Sequence, residues 1–338
     1  MDTLTQALLG GAIGYVVAGK TSPRKAMLWG AAIAVLPDLD VFIPHPNDLD
    51  AFTLHRSWSH SWLIQTLVAP ALAYGLYKLD DTFRFITWFL LAWLALVTHS
   101  GLDALTVYGT QLFWPFMPPP ISGGSVFIVD PLYSIPLLAG FLAILLKPKS
   151  LFSHRTMLAS FIFSCAYLLA GLFIQNWVER QADIALQKQG IQYDKILVAA
   201  APLNIALWRT LVINDDYYYQ GFRSVFDQDN NFNFSQYPRH AKLNTLISSL
   251  PAFQRLDWFS HGFYALEQRD NIIIVRDLRM GIEPSYFFHF AIAEHNQQQT
   301  IAVTPKRVEG EQTQLSVLKL VWQRVWNQEV VLNFRHNE

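Results

Sequence analysis

Charged residues and cysteine are both scarce in this sequence. Charged residues make up 15% of the 338 residues, against roughly 25% in a typical soluble globular domain. The formal net charge of -1 gives no electrostatic support for binding nucleic acid, and we expect no such partner. The single cysteine, Cys165, lies in an apolar run, which excludes a disulfide framework and a thiolate metal site. The first residues lack a basic stretch, so no cleavable signal peptide is predicted.

Long apolar segments occupy the first half of the chain. Two Gly- and Ala-rich stretches, Leu4–Ala18 and Ala26–Leu36, contain small side chains that favour close helix packing. Several of the later segments are shorter than the ~20 residues of a full membrane crossing. We therefore predict an α-helical polytopic membrane domain over residues 1–178. Its four candidate spans are Trp62–Tyr77, Phe83–Thr98, Leu132–Leu146 and Met157–Trp177.

Clusters of basic residues predict an orientation for this membrane domain. The positive-inside rule assigns such clusters to the cytoplasmic side. Residues 38–60, residues 99–130 and everything after Trp177 are then expected on the opposite side. The three clusters are Lys20, Arg24 and Lys25; Lys78 and Arg84; and Lys147, Lys149, His154 and Arg155.

The pattern changes to short segments rich in β-branched and aromatic residues after about residue 179. Gly, Pro, Asn or Asp bound most of these segments, which is typical of strands. We predict a mostly β (α+β) extramembrane domain over residues 179–338, with Ala182–Gln189 as a helical connector and Asn230–Arg239 as a loop. The predicted strands are Ile196–Ala201, Leu207–Ile213, Tyr217–Phe226, Asn271–Arg276, Tyr286–Ala293 and Val317–Trp322.

Six ionisable residues at or beside the ends of apolar segments are the candidate site. Ionisable groups are costly at such positions and usually mark a function. Imidazole nitrogens and carboxylate oxygens, without thiolate, are ligands for a divalent metal. The predicted orientation brings all three of their chain fragments to one membrane face. The six are Asp38, Asp40, His55, His60, His99 and Asp103.

The spacings of these residues are compatible with one site of one or two ions. His99 and Asp103 are four apart and would share a helix face, although such a pair alone is more often structural. Asp38 and Asp40 alternate and would share a face of an extended segment. His60 could approach His55 from the first turn of a helix. The full set supplies enough ligands for one ion with a surrounding shell, or for two.

Several motifs resemble a known family. They are MDTLTQALLGGAIG, LPDLD, HRSWSHS, THSGLDALTVYGTQLFWPF and DPLYSIPLL, with WFSHGFY and VRDLRMG further on. Together they resemble the membrane-bound metal-dependent hydrolases of the bacterial inner membrane. The likeness covers about the first 150 residues well. Two features are also loosely similar to zinc-dependent phospholipase C. They are the HxxxD element and an Asp that lies some fifteen residues before a His. The sequence has no evident full set of ligands for three ions.

The resemblance implies a divalent-metal hydrolase with all six residues as ligands and with zinc as the first choice, Mn or Mg being alternatives. Together with the basic clusters, which predict a multi-pass topology and a periplasmic C-terminal domain, it favours an inner-membrane enzyme acting on a phosphoester or ester of lipid or envelope material. The candidate catalytic residues are Asp40, His60, Asp103 and Arg56. A metal-activated water would attack the substrate, and any non-ligating Asp could act as general base. Arg56 could contact a phosphate, or could pair with a lipid headgroup or a neighbouring Asp.

Two other function classes remain open at this point. One is a metal-binding membrane transporter, although the ligands cluster at one face rather than crossing the membrane. The other is a non-catalytic envelope scaffold with a structural metal. The expected partner is the lipid bilayer, and the sequence predicts no particular protein partner.

Overall fold

The protein consists of a helical unit and a mostly β unit. The computed structural model describes residues 1–228, 232–296, 299–310 and 315–332. One unit comprises Met1–Ile43 and Leu54–Gly171, and the other comprises Pro44–Thr53 and Leu172–Glu338. The second unit therefore takes in a short segment from within the first half of the chain.

Helices account for the first half of the chain. Each of the four predicted spans is helical. Two of these helices, Phe85–Ala104 and Leu151–Lys188, are long and apolar enough to cross a membrane by length and composition. The helices are α1 (Thr3–Ala18), α2 (Pro23–Val35), α3 (Asp48–Leu54), α4 (Trp62–Leu79), α5 (Phe85–Ala104), α6 (Pro131–Leu146) and α7 (Leu151–Lys188).

Helices α1 and α2 approach each other closely through glycine. A Cβ atom at Gly14 would collide with the carbonyl oxygen of Ala26, and one at Gly30 with the carbonyl oxygen of Gly10. Only residues without a side chain allow two helix backbones to pack at this distance. The Gly- and Ala-rich composition noted in the sequence thus brings α1 and α2 together beside α5, whose fully buried Trp88 is part of the same core.

Two antiparallel four-stranded sheets form the second unit. The strand orders are β1-β2-β3-β4 and β5-β6-β7-β8. Leu211 and Tyr218 of the first sheet pack in one core with Ala265 and Leu278 of the second. The prediction of a helical region followed by a mostly β domain is confirmed. The strands are β1 (Lys195–Ala200), β2 (Leu207–Ile213), β3 (Tyr217–Ser224), β4 (Phe234–Pro238), β5 (Tyr264–Arg269), β6 (Ile272–Ile282), β7 (Ser285–His295) and β8 (Thr300–Arg307).

Two predictions for this half of the chain were wrong. The predicted strand Val317–Trp322 lies in a helix, Leu315–Trp326, whose buried Val321 and Val325 are four apart and so follow a helical period. The predicted loop Asn230–Arg239 contains β4, while residues 229–231 lie outside the described residues. The helical conformation predicted for the connector Ala182–Gln189 is confirmed up to Lys188, where these residues form the end of α7.

Further helices in the second unit are short. They are α8 (Asn244–Ile247), α9 (Pro251–Ser260) and α10 (Leu315–Trp326). Leu256 and Phe259 of α9 are buried, while Arg255, directly before Leu256, is partly exposed. This helix therefore offers both an apolar and a charged surface to its neighbours.

Candidate metal centre

Three separate parts of the helical unit supply the four residues at the centre of the site. Asp38 lies in a 3-10 turn, Leu36–Phe42, which directly follows α2 and has Pro37 as its second residue. His60 ends a second 3-10 turn just before α4. His99 and Asp103 lie in the last turns of α5. The predicted shared helix face of His99 and Asp103 is confirmed, and their side chains approach to 3.5 Å.

The four side chains converge on one point. His60 Nε2 is 3.1 Å from His99 Nε2. His60 Nε2 lies 3.5 Å from Asp38 Oδ1 and 3.2 Å from Asp103 Oδ2. His99 Nε2 lies 3.4 Å and 3.5 Å from the same two oxygens. The side chains of His60, His99 and Asp103 have no solvent exposure, and that of Asp38 is 14% exposed.

These distances fit a divalent metal. With metal–ligand bonds of about 2.0–2.1 Å, the edges of a tetrahedron of ligands are about 3.3–3.4 Å, close to the five separations above. Asp103 Oδ2 is buried and, within the described part of the chain, accepts no hydrogen bond of good geometry. Its near neighbours are the side chains of His60, His99 and Arg56. Two imidazoles and two carboxylates therefore form a group that could hold one metal ion.

The orientation of Asp103 is fixed through its other oxygen. Gln6 Nε2 donates to Asp103 Oδ1 at 3.0 Å and to the carbonyl oxygen of His99 at 3.2 Å. The α-amino group of Met1 also donates to Asp103 Oδ1. With Oδ1 held in this way, Oδ2 is directed at the two histidines.

Asp40 and His55 form a second pair beside the four-residue group. His55 Nδ1 lies 2.7 Å from Asp40 Oδ1. Asp40 Oδ2 accepts from the hydroxyl of Ser59 at 2.6 Å, and Ser59 Oγ lies 2.9 Å from His60 Nδ1. Asp40 thus reaches His60 through Ser59. This is the kind of outer contact that fixes the ring of a metal-binding histidine.

The expectation that Asp38 and Asp40 share one face of an extended segment was wrong. In the 3-10 turn Asp38 faces Nε2 of His60 and of His99, whereas Asp40 faces His55 and, at 3.6 Å, Nδ1 of His60. Pro37 at the start of the turn favours this helical conformation. The two aspartates therefore serve two adjacent clusters. A ligand role for Asp40 and His55 stays a prediction.

Arg56 is buried and faces Asp103. Its Nε is 3.2 Å from Asp103 Oδ2, and its guanidinium carbon lies 4.9 Å from the centre of the Tyr108 ring. The residue has a φ of 62°, a left-handed conformation that costs roughly 1–3 kcal/mol in a non-glycine residue. The conformation is held by the backbone, since Arg56 N–H donates to Asp40 Oδ2 and the Arg56 carbonyl accepts from Gln111 N–H. Of the two alternatives given above for Arg56, the pairing with a neighbouring Asp is the one observed.

Histidines keep the two aspartates of the turn ionised. Burial alone would raise the pKa of Asp38, but hydrogen bonds from His60 and His99 hold that pKa below its usual value. Burial would also raise the pKa of Asp40, but His55 and the hydroxyl of Ser59 lower that pKa below its usual value. Both carboxylates are therefore available as anionic ligands or proton acceptors at neutral pH.

Sequence reasoning missed the polar residues that contact the four-residue group or its neighbours in sequence. Gln6 and Gln65 are buried polar residues in the apolar helices α1 and α4. Gln65 Nε2 donates to Ser100 Oγ, next to His99, and to the carbonyl oxygen of Ser59. An amide in an otherwise apolar helix was the available signal, because such a group must find a partner inside the protein.

Comparison with known proteins identifies sequences that are related to this chain. Residues 1–178 match the model of a family described as YdjM inner membrane protein. The chain is also similar to protein YfhP of Bacillus subtilis (strain 168), an uncharacterized protein. The two are 27% identical over 233 residues, which is 65% of this chain and 68% of YfhP. No solved structure matches the chain. Because the family match spans more than half of the 338 residues, the chain belongs to the YdjM family of inner membrane proteins.

Proposed function

We propose that this protein is a membrane-embedded divalent-metal-dependent hydrolase. The observation that carries the proposal is the buried group of two histidines and two aspartates with separations that suit one ion. The adjacent Asp40–His55 pair adds the acid-base chemistry that hydrolysis requires.

Each residue has a distinct task in this proposal. Asp38, His60, His99 and Asp103 would hold the metal, with zinc as the first choice. When bound, a divalent metal would supply a water of lowered pKa and polarise the substrate oxygen. Asp40 holds His55 Nδ1, which leaves His55 Nε2 to accept a proton from the attacking water. The His55 ring is suitably placed, since its centre is 5.9 Å from that of the His60 ring and its side chain is 21% exposed.

Arg56 has a positioning role in this scheme. It is 4% exposed and already engaged by Asp103, Thr106 and Tyr108. We therefore assign it to holding Asp103 in place rather than to contacting a substrate phosphate. A second ion bound by Asp40 and His55 is the two-metal version of the same proposal.

The substrate is proposed to be a phosphoester or ester of lipid or envelope material. Membership of an inner membrane protein family and two helices able to span a bilayer support a substrate drawn from the membrane. The multi-pass topology and a periplasmic C-terminal domain, both inferred from the basic clusters, belong to this proposal. An enzyme with this arrangement would act at the outer face of the inner membrane.

A structural metal is the second candidate. Four protein ligands complete a tetrahedral set, and structural zinc sites are closed in this way, whereas catalytic sites keep one position for water. The burial of three of the four side chains favours this candidate. The partial exposure of Asp38 and His55 favours the hydrolase.

Activity and metal content together test the proposal. The full chain in detergent, wild type and His55→Ala, is offered phosphodiester, phosphomonoester and carboxylester lipids before and after chelation and zinc return. We expect metal-dependent hydrolysis of one ester class by wild type. His55→Ala should retain metal and fold but lose at least about a hundredfold in rate, the usual contribution of a general base.

His45→Ala is the matched control, because His45 lies in the same stretch of chain but outside the metal group. This variant should hydrolyse at the wild-type rate. Bound metal without hydrolysis of any ester class, combined with unfolding on chelation, would establish the structural metal and refute the hydrolase.

A further inference from the structure

A groove of about 690 Å³ lies between α1, α4, α5 and α7 in the helical unit. This volume is within the range of binding sites for small molecules. Leu9, Ile13 and Leu102 of its lining are buried, whereas Val16 and Trp62 are exposed. Helices α5 and α7 are long and apolar enough to cross a membrane, so in a bilayer the groove would open towards hydrocarbon.

The polar groups of the groove are already hydrogen-bonded within the protein. The hydroxyls of Thr66 and Thr98 each donate to the backbone carbonyl four residues earlier. The indole N–H of Trp62 donates to the carbonyl oxygen of Val97, and that of Trp93 donates to Thr66 Oγ1. The groove therefore suits a hydrocarbon chain, which makes no hydrogen bonds, better than a polar ligand that must exchange water for new partners.

The length of the groove is close to the depth of one leaflet of a bilayer. Its lining on α5 and the cap of that helix runs from Trp93 to Leu105, a rise of about 18 Å at 1.5 Å per residue. The hydrocarbon core of a bilayer is about 30 Å thick, so one leaflet is about 15 Å deep. One acyl chain extended through a single leaflet would therefore fill the groove.

One end of the groove lies at the level of the metal group. Gln6, which donates to Asp103 Oδ1, shares a face of α1 with Leu9 and Ile13 of the groove, because these residues are three and four positions apart. On α5, Leu102 of the groove directly precedes Asp103. The polar end of a lipid whose chain lies in the groove would therefore be near the metal group.

We propose that this groove holds a fatty acyl chain of the substrate, which makes the substrate an acylated membrane lipid. The inference rests on the proposed hydrolase and adds the part of the substrate that the protein recognises. The chain contributes binding, and the metal group acts on the phosphoester or ester at its polar end.

Photochemical cross-linking tests the groove without depending on hydrolysis. The full chain is reconstituted in a bilayer that contains a phospholipid with a diazirine in one acyl chain, and the cross-linked residues are mapped by mass spectrometry. We expect the cross-links to concentrate on groove residues such as Leu94, Val97 and Cys165. Gly101→Leu should reduce them at least tenfold. A Cβ atom at Gly101 would be 3.7 Å from Trp62, an ordinary contact, so a leucine is tolerated there and fills the groove.

Gly75→Leu is the matched control, because Gly75 of α4 also has open space around it but does not line the groove. Its cross-links should match those of wild type. Where hydrolysis is measured, Gly101→Leu should lower the ratio of kcat/KM for a long-chain ester to that for a short-chain ester about tenfold. This is the effect of withdrawing about two methylene groups from an apolar site.

The map of the wild-type protein decides the matter even if Gly101→Leu fails to fold, which thermal melting detects. Cross-links spread over all exposed helix positions, in a protein that hydrolyses its ester, would overturn the groove as a binding site while the hydrolase stands. Cross-links in the groove of a protein that hydrolyses no ester would refute the proposed function, and with it the acyl chain as part of a substrate. Cys165 is the single cysteine and is exposed. A covalent dimer formed through it on mild oxidation would identify a second copy of the chain as the occupant and would also overturn the proposal.

Discussion

Replacing Gln6 by leucine should weaken metal binding while leaving the helical unit folded. The Gln6 amide donates to Asp103 Oδ1 and to the backbone carbonyl of His99, so it supports two of the four ligands at once. Leucine nearly fills the same volume, so the cost to folding is about two net hydrogen bonds, roughly 1–3 kcal/mol. Loss of the support to Asp103 should reduce metal affinity by 10–100-fold, or about 1.4–2.7 kcal/mol.

Competition with a chromophoric zinc chelator measures this affinity on protein in detergent. Gln220→Leu is the control, because Gln220 is equally buried and hydrogen-bonded, but to Arg209 in the second unit. Its affinity should equal that of wild type. A Gln6→Leu protein that melts normally and binds zinc within about twofold of wild type would refute the role assigned to Gln6 and the expected size of outer-contact effects.

Three further predictions concern stability. Burial lowers the pKa of His289 to about 4 from 6.5, so the unfolded state takes up the proton first as pH falls. Acid unfolding titrations should show up to about 3 kcal/mol lost between pH 6.5 and 4, and His289→Leu should abolish this part of the loss. Gly14→Ala should lower the melting temperature through helix overlap costing about 1–3 kcal/mol, whereas Gly75→Ala, with open space around it, should not. Asp277→Ala should cost about 3–5 kcal/mol in denaturant unfolding because it removes the carboxylate of a buried ion pair with Arg279, 2.6 Å away; a loss below about 1 kcal/mol would contradict this.

Residue type and spacing were sufficient to predict much of the site. His99 and Asp103 could be paired from a four-residue interval, because a helix fixes the geometry of that interval. Only the predicted membrane topology indicated that Asp38 and His60 would lie near this pair. In the structure the four residues do form one group. Ionisable residues in apolar surroundings were thus an adequate guide to the group that could hold a metal.

The supporting contacts could not be predicted in the same way. Gln6 reaches Asp103 across 97 positions of sequence, and no local pattern encodes such a distance. The left-handed backbone conformation of Arg56 could not be predicted from the residue type, because residues other than glycine rarely adopt a positive φ. The packing of Pro44–Thr53 in the second unit likewise depends on tertiary contacts alone.

The fold shows the same division between local and tertiary information. The helices of the first half were predictable because their apolar segments are long, while β4 was missed because Phe234–Pro238 lies in a polar stretch ending in proline. The helix at Leu315–Trp326 was mistaken for a strand because short apolar runs do not distinguish the two.

The metal content of the purified protein tests the central claim most directly. Elemental analysis of wild-type protein prepared without chelators, then reconstituted with zinc and desalted, should give one or two divalent ions per chain. The His60→Ala and Asp103→Asn proteins should each retain far less under the same conditions. A folded wild-type protein that holds no stoichiometric metal after reconstitution would contradict the claim that Asp38, His60, His99 and Asp103 form a metal centre.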